Sequence, residues 1–437
     1  MMPTIQNIFA REILDGRGQP TIECSIWLDN GIYAVTSAPS GTSVGKYEAL
    51  DLRDQEQRML GMGVTKAVNS VNTVIAPALK GKDPSEQQAI DEALVALDGT
   101  EKRTKLGGNA MIAVSQAVMK AAALSAGLPL YYYIWQKYQL SPSLNIPACI
   151  YTMINGGSHG ATNLDFQEFQ IVPASHLDFI QSLEMASLLF QKLEEVLIAK
   201  GAIHSVGLDG GYAPNLYNNT DAFEILIETI KNSPYTYIQD LFFGVDVAAS
   251  EFFNAGKYSL KDKSQPYSPR ELVEYYKNMR KLYHVFAIED PFQEDDWQSW
   301  KELTTELGET SIIIGDNLLV GNKTRTQKAI QEKACNAILV KPNQVGTLSE
   351  TIEVIKLAQS AQWQVTVSHR SGETNDDFIA DFAVGVGANY VKFGPPNRGE
   401  RIAKYNRLLQ VYYELQNYQQ QAAGPTPAEA AAPTTQG

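Results

Sequence analysis

Six short apolar runs recur along the second half of this chain: LFFGVD (241–246), VFAIE (285–289), SIIIGD (311–316), AILVK (337–341), QVTVSH (364–369) and NYVK (389–392). Each run ends in a charged or metal-capable residue, and successive ends lie 23 to 43 residues apart. Short strands that alternate with helical stretches predict a parallel sheet. This many units close most simply into a (β/α) barrel, whose active site lies where the strands end. The residues that end the runs are therefore predicted to line one cleft at the C-terminal end of the barrel.

The composition suits such a barrel together with a smaller domain. The chain has 437 residues, enough for a barrel of about 250 residues plus a domain of roughly 100–150. Its formal charge of −13 argues against broad nucleic-acid binding, which needs a basic surface. Three widely spaced cysteines exclude a disulfide framework and fit a reducing compartment. With no secretion signal and no apolar run long enough to span a membrane, we expect a cytoplasmic protein, while a surface or secreted pool stays open.

The first 140 residues predict an α+β domain. Residues 3–40 alternate like a three-stranded meander, and Asn30-Gly31 is a strong hairpin signal. Residues 51–127 have helical patterns, of which the clearest begins at Asn109 and stops at Gly127, with Pro129 beyond. We expect this domain to cover the barrel, which then occupies residues 141–418.

The barrel is predicted to start irregularly. Its first two strands, within 146–155 and 166–173, are separated by a segment too short for a crossover helix, so we expect them to be antiparallel. From residue 419 to residue 437 the chain becomes rich in Gln, Ala, Pro and Thr. Such a segment cannot bury a core, which predicts a disordered tail.

Three carboxylates end successive runs, namely Asp246, Glu289 and Asp316. Oxygen ligands of this kind suit Mg²⁺. Any one of them alone could be an exposed acid at the end of a strand, but three in register favour a metal site. Lys341 ends the next run, where it could act as a general base, since burial and neighbouring positive charge lower the pKa of a lysine. The alternative is a lysine that only balances the acids.

Further cations and hydroxyls could hold an anionic substrate. Lys392 is a second lysine at a strand end, and SHRSGET (368–374) offers Arg370 and Ser371 for phosphate contacts. The loop APSGTSVG (38–45) combines two glycines with the hydroxyls of Ser40, Thr42 and Ser43. It could be an ordinary solvent loop or a mobile lid that excludes water from the barrel mouth.

These motifs, taken together, resemble the enolase family from the N-terminal meander to residue 410. The matching segments, in order, are AREILDGRGQPT, APSGTSVGKYEA, LGGNAMIAVS, INGGSHGATNLDFQEFQIVP, VGLDGGYAPNL, GVDVAASEF, IEDPFQEDDW, IGDNLLVGN, LVKPNQVGTLSE, SHRSGET and NRGERIAKYN. The resemblance implies an enolase-type (β/α)8 barrel with an antiparallel start, preceded by the α+β domain.

The resemblance also implies a role for each matching residue. Asp246, Glu289 and Asp316 match the ligands of a tightly held Mg²⁺, and Ser40 matches a loop residue that helps to hold a second Mg²⁺ in the same site. Lys341 matches the base that removes the α-proton of 2-phosphoglycerate, and Asp209 occupies the position of the general acid. Substrate contacts are implied for His159, Gln167, Glu168, Lys341, Arg370, Ser371 and Lys392.

The chain departs from the family pattern at the general acid. The segment usually written GDEGG is Gly207-Leu208-Asp209-Gly210-Gly211 here, so the carboxyl group is pulled back by one methylene, about 1.5 Å. A misplacement near 1 Å can lower a rate by on the order of a hundredfold, which predicts a slow enzyme unless the loop moves inward. In addition, Asn317 replaces a second acid, and Thr42 and Val44 replace the usual Ala and Thr.

The implied function is that of phosphopyruvate hydratase, a hydro-lyase. It would dehydrate 2-phosphoglycerate to phosphoenolpyruvate in glycolysis and run in reverse in gluconeogenesis. Two alternatives stay open at this point: another acid-sugar dehydratase or racemase of the superfamily, and a weakened paralogue that acts as a binding or scaffold protein. The resemblance further implies a homodimer or a larger homo-oligomer.

Overall fold

The computed structural model describes residues 2–42, 45–160, 164–261 and 263–423. Within them lie the strands β1 Ile5–Leu14, β2 Pro20–Leu28, β3 Tyr33–Ser37, β4 Ala148–Asn155, β5 Glu168–Pro173, β6 Leu241–Asp246, β7 Phe253–Asn254, β8 Lys257–Tyr258, β9 Val285–Glu289, β10 Ile312–Gly315, β11 Ala337–Val340, β12 Gln364–Ser368 and β13 Tyr390–Lys392.

The strands alternate with helices over most of the chain. These are α1 Thr65–Asn69, α2 Ala76–Leu79, α3 Gln87–Asp98, α4 Gly108–Ser125, α5 Leu130–Tyr138, α6 Phe179–Ala199, α7 Asn219–Lys231, α8 Pro269–Tyr283, α9 Trp297–Leu307, α10 Lys323–Glu332, α11 Pro342–Val345, α12 Leu348–Ser360, α13 Phe378–Gly385 and α14 Gly399–Ala423. A π-helical turn, Ser70–Ile75, joins α1 to α2, and short 3-10 turns lie at Arg58–Gly61, Gly157–His159 and Ala249–Phe252.

The predicted meander is an antiparallel sheet in the order β1-β2-β3. Its second hairpin turns at Gly31, whose φ of 86° is readily adopted only by glycine. Helix α4 packs on β2 and β3 and is buried on almost all sides, because its small and apolar side chains allow close approach from several directions. The helix predicted from Asn109 is therefore confirmed as the core helix of the N-terminal domain.

The predicted barrel is also confirmed. Eight strands close in the order β4-β5-β6-β9-β10-β11-β12-β13, and β13 pairs with β4. β5 is antiparallel to both β4 and β6, and the other neighbours are parallel. Runs such as AILV in β11 are apolar throughout because helices cover the outside of the barrel while side chains fill its inside. The interior is filled by Ile150, Val172, Ala287, Ile312, Ile314, Ala337 and Leu339, which form a floor beneath the strand ends.

The end of the barrel domain differs from the prediction. α14 continues to Ala423, so the tail predicted to begin at residue 419 starts inside this helix. Composition was misleading here because glutamine and alanine, which dominate residues 419–423, are good helix formers. The predicted disorder of residues 424–437 lies outside the described residues, as do Ser43 and Val44 of the predicted lid.

No single described helix is long and apolar enough to cross a membrane. The pair α4 and α5 meets the length and composition criteria only together, and it is bent by 96° at the break.

Candidate active site

A cleft of about 450 Å³ lies where the barrel strands end, between the barrel and the N-terminal domain. Predicted site residues that line it are His159, Gln167, Glu168, Asp209, Asp246, Asp316, Lys341, Arg370, Ser371 and Lys392. Glu289 does not line the cleft directly, but it contacts Lys392, which does. The parallel strands end at this face, and β5 begins there because it runs in the opposite direction. This geometry places Glu168 beside Asp246 as its strand partner.

The three predicted metal-binding acids are accompanied by two lysines. Asp246 and Glu289 are partners on β6 and β9, and Asp316 directly follows β10. Nζ of Lys392 lies 3.1 Å from a carboxyl oxygen of Asp246 and 2.7 Å from one of Glu289. Nζ of Lys341 lies 2.5 Å from Oδ2 of Asp316. Two ammonium groups thus hold three carboxylates together in a buried site.

The buried carboxylates and lysines of this site are electrostatically suited to bind a cation. Burial, followed by the nearby Asp246 carboxylate, raises the pKa of Glu289 well above its usual range. Burial would lower the pKa of Lys392, yet the surrounding carboxylates of Glu168, Glu289 and Asp246 raise it well above its usual value. Burial likewise opposes the charge on Asp316, but Lys341 holds the pKa of that carboxyl group below its usual value. A buried cluster with more carboxylates than ammonium groups, and with oxygen donors only, fits a divalent cation.

A second cluster comprises His159, Glu168 and Asp209, whose nitrogen and oxygen atoms lie within 4.8 Å of one another. It is the only set of acids, histidines and cysteines in the described chain that converges so closely. Within it, Nδ1 of His159 and Oδ2 of Asp209 form a close ion pair. Glu168 accepts hydrogen bonds from Thr152 and Gln170 instead. We therefore interpret this cluster as an acid–base group of the cleft wall.

Arg370 is tied to the N-terminal domain by an ion pair that the sequence did not indicate. Its Nη1 donates to Oε2 of Glu48 at 2.8 Å, and both side chains are buried. Gln344 links Glu48 to the acids, because its Nε2 lies 3.2 Å from Oε1 of Glu48 and 3.0 Å from Oδ1 of Asp316. Arg370 and Glu48 are separated by 322 residues, so no local pattern could have revealed their contact.

Two buried cations of α14 hold the loop that follows β12. Arg401 donates to the carbonyl oxygens of Arg370 and Ser371 at 2.6 and 2.7 Å. Lys404, three residues further along the helix, donates to the carbonyl oxygens of Thr374 and Asp376 at 2.9 and 2.8 Å. The burial of both cations could have been predicted from the sequence, because they occupy the same face of the helix as the buried residues Tyr405, Leu408 and Val411. The SHRSGET loop is shaped from beneath by this helix.

Arg401 also determines the state of His369, the histidine that ends the fifth run. Its Nη1 lies 2.9 Å from Nδ1 of His369. Because a guanidinium can only donate, Nδ1 must accept, and the ring is the neutral tautomer with hydrogen on Nε2. Burial and the Arg401 charge lower the pKa of His369 well below its usual value, which agrees with this assignment. His369 lines the cleft, although the sequence suggested no specific role for it.

The Ser40 hydroxyl is hydrogen-bonded to two residues of the N-terminal domain. Its hydroxyl donates to Oδ2 of Asp15 at 3.1 Å and accepts from Nη2 of Arg17 at 2.8 Å. Its backbone pairs with Gly372, which anchors the first part of the predicted lid to the SHRSGET loop. Thr42, one of the departures from the family pattern, donates its N–H to the Ser371 hydroxyl at 3.0 Å.

Asn317 and Asp290 complete the wall beside Asp316. Asp290 accepts the backbone N–H groups of Asp316 and Asn317 at 3.0 and 2.8 Å. Burial and the charge of Asp316 raise the pKa of Asp290 well above its usual value. It orients the segment that carries Asp316, whereas Asn317 presents an amide to the cleft in place of a further charge.

Comparison with known proteins agrees with this geometry. Residues 5–134 match the family model described as "Enolase, N-terminal domain", and residues 143–427 match "Enolase, C-terminal TIM barrel domain". An enolase of Solanum lycopersicum is 44% identical over 429 residues, which cover 95% of this chain and 96% of that protein. The chain belongs to the enolase family.

Proposed function

We propose that this member of the family catalyses the reversible, Mg²⁺-dependent dehydration of 2-phosphoglycerate to phosphoenolpyruvate, a hydro-lyase reaction of glycolysis and gluconeogenesis. One observation carries the proposal: three buried carboxylates and two lysines meet at a barrel mouth that Arg370 and Ser371 also line. Loss of a proton beside a carboxylate creates a highly charged ene-diolate, which needs concentrated positive charge. The cleft supplies that charge and the base together.

Lys341 is proposed as the base that removes the proton from C2. Its ammonium position at the end of β11 is set by Asp316 at 2.5 Å, and its side chain reaches the cleft. A base must lie within hydrogen-bond reach of the proton that it takes. A lysine or histidine base combined with one or two Mg²⁺ ions is established chemistry of the enolase superfamily rather than a conclusion of ours, and the arrangement here agrees with it.

The remaining contacts would bind the substrate. Arg370 and Ser371 offer a guanidinium and a hydroxyl at one side of the cleft, suited to a phosphate group. Lys392 lies among the acids, where its ammonium group can meet a substrate oxygen. Gln167, with Nε2 3.2 Å from Oδ2 of Asp246, is proposed to orient both that acid and the substrate, and Glu168 would contact the substrate beside it. The phosphate-binding side chains favour a phosphorylated acid over a plain hydroxy acid.

The divalent metal expected of the family would be held by Asp246, Glu289 and Asp316, and we propose that it is Mg²⁺. When bound, Mg²⁺ stabilises the negative charge that develops on the substrate carboxylate. A second Mg²⁺ with Ser40 as a ligand stays a prediction. For that role the Ser40 hydroxyl would exchange its bonds to Asp15 and Arg17 for the ion.

Asp209 is proposed to deliver a proton to the departing hydroxyl group, and His159 is proposed to contact the substrate beside it. Both line the cleft and are paired with each other. Departure of hydroxide at neutral pH requires such a proton, and a positioned acid contributes about 10²–10⁴-fold to a rate.

The proposal is tested by following phosphoenolpyruvate formation from 2-phosphoglycerate. We expect turnover that disappears after chelation, returns when Mg²⁺ is added back, and is absent with glycerate, which lacks the phosphate. Turnover of glycerate or other phosphate-free hydroxy acids, without turnover of 2-phosphoglycerate, would contradict the proposal and favour another reaction of the superfamily.

Replacing Gly41 with alanine should impair substrate binding. A Cβ at this position would lie 1.8 Å from Nη2 of Arg370, so the guanidinium or the loop must move. Since small displacements of positioning groups can lower rates by on the order of a hundredfold, we expect a large fall in kcat/KM, with KM for 2-phosphoglycerate raised. Gly399→Ala is the matched control, because its nearest neighbour is an Asn375 oxygen at 3.7 Å. Equal kinetic constants for both variants would refute a role for the close approach at Gly41.

Assembly and location remain proposals. We propose a homodimer or larger homo-oligomer, supported by exposed apolar side chains on the edge strand β1 and the nearby turn, among them Phe9, Leu14 and Leu60. Unpaired strand edges and exposed apolar patches are typical of contact surfaces.

We also propose a cytoplasmic location, since Cys24, Cys149 and Cys335 are free and buried, as a reducing compartment allows.

A further inference from the structure

The ion pair of His159 and Asp209 has an unusual environment. The two groups are in close contact but are not aligned as a hydrogen bond. The second carboxyl oxygen of Asp209, Oδ1, has no hydrogen-bond partner among the described residues and lies 3.8 Å from Nη2 of Arg401. The buried carboxylate therefore relies mainly on the imidazole ring for stabilisation, since an unpaired buried charge is strongly disfavoured.

The backbone fixes this arrangement. The N–H of Leu208 donates to the carbonyl oxygen of His159 at 2.8 Å. Gly207 packs so closely on the same carbonyl that an added Cβ would lie 2.5 Å from it. The short segment 207–211 is thereby held against the turn that carries His159. From this position the aspartate side chain ends at the ring.

The ring is more exposed than the carboxylate, and both residues line the cleft. The His159 side chain is 8% exposed, whereas that of Asp209 is 1% exposed. Nδ1 is turned towards Asp209, which leaves Nε2 at the other edge of the ring. Nε2 is thus the ring atom available to a group bound in the cleft.

We propose that His159, through Nε2, carries the proton that leaves with the hydroxyl group, and that Asp209 acts behind the ring as a positioning carboxylate. This inference rests on the proposed function and reassigns one step of it. As the C3–O bond breaks, its electron pair stays on oxygen, which takes the Nε2 proton to form water. The electron pair at C2, left when Lys341 removed the C2 proton, forms the C2–C3 double bond. His159 becomes neutral, Lys341 becomes charged, and exchange of protons with water restores both.

The electrostatics support this division of roles. Burial would lower the pKa of His159, but Asp209 and, more weakly, Glu168 outweigh burial and raise it. Burial would raise the pKa of Asp209, but the imidazolium of His159 holds it well below its usual value. The two shifts together favour the ion-paired state, in which the ring holds a proton on both nitrogens and the carboxyl group is ionised.

Charged and titratable groups from every neighbouring element face this pair. They are Glu168 on β5, Asp246 on β6, His369 after β12, Lys392 on β13 and Arg401 on α14. Removing the Asp209 charge acts on Glu168 and His369 as well as on His159, so the result for Asp209→Asn is read together with that for His159→Gln.

The first test is the pH dependence of kcat in Asp209→Asn. An asparagine cannot donate a proton as an acid, but it leaves His159 in place. Loss of the negative charge should lower the pKa of His159, because the Asp209 carboxylate is the main group that raises it. Protonated histidine exists below its pKa, so the alkaline limb of the kcat profile should move to lower pH, with substantial turnover retained on the acidic side. Absence of turnover at every pH from about 5 to 9 would identify Asp209 itself as the donor and overturn the proposal.

The second test is His159→Gln, with exchange of the substrate C2 proton for solvent deuterium as an additional measurement. We expect dehydration to fall by about 10²–10⁴-fold while C2 exchange persists, because the base step does not need His159. Exchange also shows that the variant is folded. Dehydration within tenfold of wild type would overturn the proposal. His204→Gln, at an exposed position, is the control. Wild-type protein without 2-phosphoglycerate turnover would instead refute the proposed function, so the two failures are distinguishable.

Discussion

Replacing Lys341 with alanine should lower 2-phosphoglycerate turnover by about 10³–10⁴-fold, the largest kinetic effect that we expect from one substitution in this chain. The variant removes the proposed base, and it also removes the cation at 2.5 Å from Asp316. Solvent exchange of the C2 proton should fall in parallel, because exchange depends on the same proton transfer. This parallel loss distinguishes Lys341 from His159, whose replacement should leave exchange in place.

Lys328→Ala provides the matched control. This lysine lies on α10, its side chain is 46% exposed, and it contacts Trp297 outside the cleft. Lys328→Ala should unfold at a temperature close to that of wild type. Lys341→Ala leaves the buried Asp316 carboxylate without its cation and should unfold at a lower temperature, so the activities are compared at a temperature where every variant is folded. If Lys341→Ala retained turnover within tenfold of wild type, Lys341 would only balance the acids, and another base would have to be sought.

The barrel and the acids within it could be predicted because the relevant information is local. A buried parallel strand has an apolar stretch, and the next residue along the chain emerges at the barrel mouth. Asp246, Glu289 and Lys341 follow this rule directly. The antiparallel pairing of β4 and β5 could also be predicted from local sequence. The connection between them is too short for a crossover helix, so the chain must reverse its direction.

The contacts between distant parts of the chain could not be predicted in the same way. Glu48 and Arg370 form an ion pair only because the N-terminal domain lies over the barrel mouth. The sequence around each residue gives no indication of this contact. For Ser40, the motif indicates a metal ligand, which stays a prediction, but it gives no indication that the hydroxyl bonds to Asp15 and Arg17. A sequence motif shows that a serine is present. The hydrogen-bond partners of its hydroxyl depend on all the donors and acceptors that surround it in the fold.

The general acid segment also shows which features the sequence predicts and which only the structure reveals. The sequence shows that a carboxyl group is retained at Asp209 and shortened by one methylene. It cannot show that this carboxyl group contacts an imidazole, which changes the chemical meaning of the substitution. A shorter acid alone would be expected to slow the reaction, whereas a shorter acid paired with a histidine can transfer the role to the ring.

The largest effect on stability is expected for Arg401→Met. Arg401 is fully buried and donates to two backbone carbonyl oxygens and to His369. Methionine approximates its length but leaves these acceptors without their donor, and it removes the positive charge that lies 3.8 Å from the Asp209 carboxylate. Breaking a buried charged network from one side lowers the free energy of unfolding by about 3–5 kcal/mol. Thermal or denaturant unfolding should show this loss, whereas Asn406→Ala, at an exposed position on the same helix, should leave stability nearly unchanged.

Arg401→Lys separates the charge from the geometry. Lysine preserves the positive charge near Asp209, but a single ammonium group cannot reproduce the planar fork that reaches His369 and the two carbonyl oxygens at once. Its stability should therefore lie between those of wild type and Arg401→Met. The imidazole of His369 should also lose its preference for the Nε2–H tautomer, which its ¹⁵N chemical shifts would reveal. If the lysine variant matched wild type in both stability and tautomer, charge alone would explain the role of Arg401, and the fork that shapes the SHRSGET loop would be dispensable.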